Sequence, residues 1–219
     1  MFAGHVGAAL ALGRAERRVN VGAFVVAALL LDIVLWLLVL AGWESLVIPA
    51  DFASTHQPEF VFPYSHGLLA SIAWSLLAAV ATAIACARLG AARWRAAALV
   101  GAAVFSHWIL DALVHRPELP LAGTGSPHVG LGLWQSMPVA LITEAAVVAA
   151  GLWLFVSGSR LPRGKLIAMV VFTLTILVFT VAGMTVAPPP PSVLAMAASS
   201  LASLVIVCAL VWWLGRPPQ

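Results

Sequence analysis

Hydrophobic positions along this chain gather into six long runs, at about 20–41, 66–87, 96–115, 136–157, 166–187 and 193–214. Each approaches the ~20 residues that a helix needs to cross the hydrocarbon. None alternates apolar and polar residues as a lipid-facing barrel strand would. The pattern predicts an all-α fold, a polytopic membrane helix bundle of about six transmembrane helices. Residues 1–13 are apolar too, but too few to span. They predict a short N-terminal helix, either re-entrant from the cytoplasmic side or lying in the interface. Inserted, a helix of that length would reach about 20 Å and carry His5 to mid-depth.

The polar positions between the runs fix an orientation. Arg14, Arg17 and Arg18 precede the first run, Arg88, Arg93 and Arg95 separate the second and third, Arg160, Arg163 and Lys165 the fourth and fifth, and Arg216 follows the sixth. The alternate loops hold Glu44, Asp51, Glu59 and Glu118, with Arg116 their one strong base. Under the positive-inside rule both termini are cytoplasmic. Composition agrees: 63% of residues are hydrophobic and 9% charged, against roughly 25% charged in a soluble domain. The expected setting is a membrane crossed several times, with the lipid bilayer as the main partner. A formal charge of +3 distributed this way is no nucleic-acid signal. The first run contains Asp32 and no small-x-small cleavage site, so it reads as a retained span rather than a signal peptide. Cys86 and Cys208 fall near cytoplasmic helix ends and form neither a disulfide framework nor a metal motif.

Chemistry enters where ionisable residues interrupt the apolar runs. His107, Asp111 and His115 recur at i, i+4 and i+8, a spacing that places them on one helical stripe. Rise arithmetic from the run ends puts Asp32 roughly 18 Å, His107 roughly 16 Å, Asp111 about 22 Å and Glu144 about 18 Å above the inner surface. Four helices thus bring acids and histidines to one layer, with His66 and His115 at its outer rim. Ser65 reads as an N-cap, so that His66 opens the second span. The Gly- and Pro-rich loop of about 116–135 reads as a lid over the outer mouth or a substrate-contacting loop. His56 and His128 are expected in exposed loops, and tryptophans such as Trp43, Trp134, Trp94, Trp212 and Trp213 in interfacial belts. The last two runs carry no charge and meet at a stiff Pro188–Pro191 turn. Residues 1–157 therefore read as the helical core with the site, and 158–219 as a transmembrane hairpin serving as scaffold or, through its small-residue stripe, as a homo-oligomer contact.

Imidazole and carboxylate together suit zinc or a similar divalent metal. The same residues could instead form a proton or metal-ion path in a non-enzymatic transporter or permease. Haem ligation fits poorly, because His66 and His107 differ in height.

Gly4-His5, Leu30-Leu31-Asp32-Ile33, Ser65-His66 and Ser106-His107-x-x-x-Asp111 occur in that order. Over residues 1–157 this series resembles the bacterial membrane-bound metal-dependent hydrolases. More distantly it is similar to the zinc-dependent phospholipase C and nuclease superfamily. The resemblance implies a hydrolase embedded in the bacterial cytoplasmic (inner) membrane and acting on a phosphoester or other amphiphilic substrate. It also implies His5, Asp32, His66, His107 and Asp111 as metal ligands, with Glu144 matching a later Glu ligand and His115 a further histidine; in such a hydrolase Asp32 or Glu144 could instead be the general base. Departures from the pattern are Val34 in place of a second acid, Val61 near the place of a further histidine, and Ala140 four residues before Glu144.

Overall fold

The computed structural model describes residues 1–216; the last three residues of the expected C-terminal unit, 217–219, lie outside the described residues. The chain is all-α in its body. Its helices are α1 (Phe2–Ala15), α2 (Val21–Ala28), α3 (Leu30–Leu40), the single turn α4 (Phe52–Thr55), α5 (Leu68–Ala85), α6 (Ala92–Val114), α7 (Met137–Gly158), α8 (Arg163–Thr185) and α9 (Val193–Leu214). Five of them, α5 to α9, are long and apolar enough to cross a membrane. Helices α2 and α3 pass the same test only as a pair, bent by 47° at their break. These are the apolar runs of the sequence, and they mark a membrane protein.

Short ladders fold the loops at one end of the bundle. Strand β1 (Ser45–Val47) pairs antiparallel with β2 (Glu59–Val61), and β3 (Leu119–Pro120) with β4 (His128–Val129). The second hairpin is tied to the helices: the Leu69 N–H donates to the Leu121 carbonyl at 3.1 Å and the Gly132 N–H to the His115 carbonyl at 2.8 Å. Gly130 makes the approach to α6 feasible. At φ +155° it runs so close to the carbonyls of His115 and Arg116 that a Cβ would overlap them.

Helix α1 resolves the alternative left by its length. It is neither interfacial nor exposed but sits inside the bundle, packed on α2, α6, α7 and α8, with Ala3, Val6, Ala9 and Leu10 fully buried. Apolar burial gives no net drive between helices in lipid, so close backbone packing must hold this one. Gly7 and Gly151 supply it: a Cβ on either would run into the backbone of the other helix. Helix α9 packs on α2 and α3, and α8 on α7 and α1, so the C-terminal pair closes the bundle around the N-terminal helices.

Candidate metal centre

The break between α2 and α3 builds two parts of the site at once. Where the helix turns at Leu29, the Ala28 carbonyl is left to accept from His107 Nδ1 at 2.6 Å. That bond fixes the imidazole with Nδ1–H as donor and Nε2 as a lone-pair ligand, the orientation that ligating histidines ordinarily receive from a neighbouring acceptor. Three residues on, Asp32 stands in the first turn of α3, where the positive end of the helix dipole favours a carboxylate.

His66 is oriented by a different route. The Ser65 hydroxyl donates to Glu44 Oε2 at 2.7 Å and accepts from His66 Nδ1 at 2.8 Å. Glu44 Oε1 in turn accepts from the backbone N–H groups of Tyr64 and Ser65, at 2.8 and 2.9 Å. Ser65 is therefore not the N-cap that its position suggests. Helix α5 starts at Leu68 with Gly67 in the cap position, and His66 lies on the approach, aimed inward by a buried relay. Glu44, which the sequence places in an outer acidic loop, is 3% exposed and is the residue that sequence reasoning missed. Nothing in its spacing marks it; its partner lies twenty-one residues away across a hairpin.

These elements bring His66 Nε2, His107 Nε2 and Asp111 Oδ2 into a triangle with sides of 3.1, 3.1 and 3.4 Å. Asp32 Oδ1 lies 3.6 Å from both histidine nitrogens. A tetrahedral ion with ligands at about 2.0–2.1 Å separates them by about 3.3–3.4 Å. The donor spacing fits that geometry, and the residue types fit a borderline-soft divalent ion. A second group, His5, Asp32 and His107, also gathers within metal-binding reach. His5 stacks on His107 with ring centroids 3.7 Å apart, and its Nε2 lies 3.1 Å from Asp111 Oδ1. Its Nδ1 is a buried nitrogen without a hydrogen-bond partner. The buried His/Asp groups can thus hold a metal ion.

Asp111 is the hub. Its Oδ1 meets His5 and the Met1 nitrogen, each at 3.1 Å, while Oδ2 faces His66 and His107. His115 stands outside both donor groups: its Nε2 is 3.9 Å from Asp111, and its Nδ1 binds Glu118 at 2.5 Å. It packs on Phe62 and on Trp134, which lies against the site. Glu144 also stands outside them. One of its oxygens accepts from the Gly4 N–H at 3.0 Å, so it satisfies an orphan donor in the first turn of α1 and holds the helix that carries His5. His128 is exposed as expected, whereas His56 is buried beside Phe52 and borders the site.

A cavity of about 370 Å3 opens onto this cluster. Asp32, His66, Asp111 and Glu144 form its polar end, and Phe2, Leu35, Trp36 and Phe62 line an apolar wall. The C-terminal helices supply another side, through Phe179 and Met184 of α8 and Met196 and Ser203 of α9. The hairpin expected only to brace the core thus borders the site.

No protein-family model, curated protein or solved structure matches this chain. The functional reading rests on the geometry.

Proposed function

We propose that this chain is a membrane-embedded, metal-dependent hydrolase of an amphiphilic phosphoester, set in a bacterial cytoplasmic membrane with six spans. The observation that carries the reading is the pair of His/Asp donor groups sharing His107 at the foot of a cavity that is apolar along most of its wall. His66, His107 and Asp111 would hold a divalent ion, zinc by preference, with Asp32 and His5 completing it or holding a second. Such an ion supplies Lewis-acid polarisation of a phosphoryl oxygen and lowers the pKa of water toward neutrality.

The chain's own groups do the rest. Ser65 with Glu44, and the Ala28 carbonyl, hold the two imidazoles with Nε2 free. Glu144 borders the cavity without belonging to a donor group. It is assigned the proton from the attacking water, taken on the carboxylate oxygen that Gly4 does not use. Phe2, Leu35 and Trp36 seat the apolar part of the substrate and exclude water beside the reacting bond.

Metal analysis of the purified chain tests the reading. Near-stoichiometric zinc, manganese or iron is expected, lost in His107→Ala and in Asp111→Ala. Glu144→Gln should keep the metal and lose phosphoester turnover. Wild-type protein without metal, and with stability unchanged by both ligand substitutions, would sink the proposal. Bound metal with no turnover, together with ion flux in proteoliposomes, would favour the transporter instead.

A further inference from the structure

At the opposite end of the bundle a second cavity, of about 430 Å3, lies where α1, the α1–α2 link and the end of α7 meet. Arg14, Arg17, Arg18 and Arg160 line it, over an apolar floor that includes Phe155 and Leu161. Two of these arginines lie against the end of α7. Arg17 Nη1 donates to the Gly158 carbonyl at 3.0 Å. Arg14 passes so close to Gly158 that a Cβ there would overlap its guanidinium. Arg18 is taken by Glu16, through contacts of 2.7 and 2.5 Å, and these bonds hold the Glu16 carboxyl below its usual range. Among the described residues Arg14 and Arg160 have no carboxylate partner.

Capping of helix ends does not absorb this charge. The C-termini of α1, α7 and α9 reach the cavity and bring about half a negative charge each, while the N-terminus of α2 brings about half a positive one. With Glu16 set against Arg18, roughly two positive charges remain uncompensated. Every Lys and Arg of the chain except Arg116 falls at this end, with Glu16 the one acid among them in the described residues. The surplus is therefore local to a concave, partly apolar site as well as general to the face. Basic pockets of this kind between helices suit phosphate headgroups, and guanidinium forks match phosphate oxygens bidentately.

We propose that this cavity binds a phosphate group through Arg14, Arg17 and Arg160, carried either on the headgroup of an anionic phospholipid or on free phosphate. The site is independent of the metal centre and of the activity assigned to it.

The test uses the full chain in a zwitterionic detergent. One arm titrates phosphatidylglycerol in mixed micelles against phosphatidylcholine, read by native mass spectrometry. The other titrates inorganic phosphate at low ionic strength, read by calorimetry. Saturable binding is expected in one arm, weakened about tenfold or more by Arg14→Gln with Arg160→Gln. It should be unchanged by Arg88→Gln with Arg93→Gln. Binding in the lipid arm assigns the headgroup; binding in the phosphate arm assigns the free anion. Arg160→Gln alone, at an exposed loop side chain, carries the test if the Arg14 change disturbs α7. Absence of binding in both arms, or equal loss in the pocket and remote variants, would overturn the proposal in favour of a diffuse basic face.

Discussion

At the residue scale, the site depends on groups that belong to neither donor set. Ser65 and Glu44 aim His66, and the Ala28 carbonyl aims His107. Outer partners of metal ligands typically govern affinity by about 10–100-fold. Ser65→Ala should weaken metal affinity within that range, measured by chelator competition, while helix content by circular dichroism stays unchanged. Glu44→Gln should do the same and also loosen the hairpin, because Glu44 accepts from two backbone N–H groups there. An affinity equal to wild type in both variants would show that the relay is only structural. The i, i+4 spacing of His107 and Asp111 made their shared face legible in the sequence. The relay was not legible, because serine and glutamate in a loop take their meaning from a partner that only the fold brings near.

At the element scale, two features of the helices decide where the His/Asp donors stand. One is the break at Leu29, and the other is the close approach of α1 and α7. Rise arithmetic placed Asp32, His107, Asp111 and Glu144 in one layer, and the structure brings all four to one cluster or its border. The break itself was invisible in the sequence. Neither Pro nor Gly marks Ala27-Ala28-Leu29-Leu30, so the bend comes from tertiary contacts rather than local preference. Nor could length alone place α1 inside the bundle. Gly7 and Gly151 do that, and they give a direct test. Gly151→Ala sets a methyl against the Gly7 carbonyl, and overpacking of this kind costs about 1–3 kcal/mol. Thermal unfolding in detergent should fall accordingly, and metal affinity with it, since His5 rides on α1. A Gly151→Ala protein as stable as wild type would mean that α1 and α7 separate freely.

For the whole molecule, charge and chemistry are divided between opposite ends. The His/Asp cluster opens toward the loops bearing Glu44, Glu59 and Glu118, and the arginines gather at the far end. If the basic end is cytoplasmic, single cysteines introduced into a background lacking Cys86 and Cys208 should report it. Gly125→Cys, in the loop at the acidic end, should react with an impermeant maleimide in intact cells. Gly90→Cys, between α5 and α6, should react only after the membrane is opened. The reverse pattern would invert the bundle and place the cavity on the other side of the membrane.

The depth of α1 in the bundle also has a meaning in time. This helix is made well before the groups that hold it: Asp111 lies 106 residues beyond His5, and the Glu144 that accepts from Gly4 lies 140 residues on. Until α6 and α7 have been inserted, His5 has neither its acid nor its stacking partner, and His107 does not yet exist to be shared. A chain that stops before α6 therefore lacks His107, which both donor groups need. Under the proposed function, capture of a metal would wait for α6, and a chain that stalls before it would leave no half-built centre to bind an ion out of place.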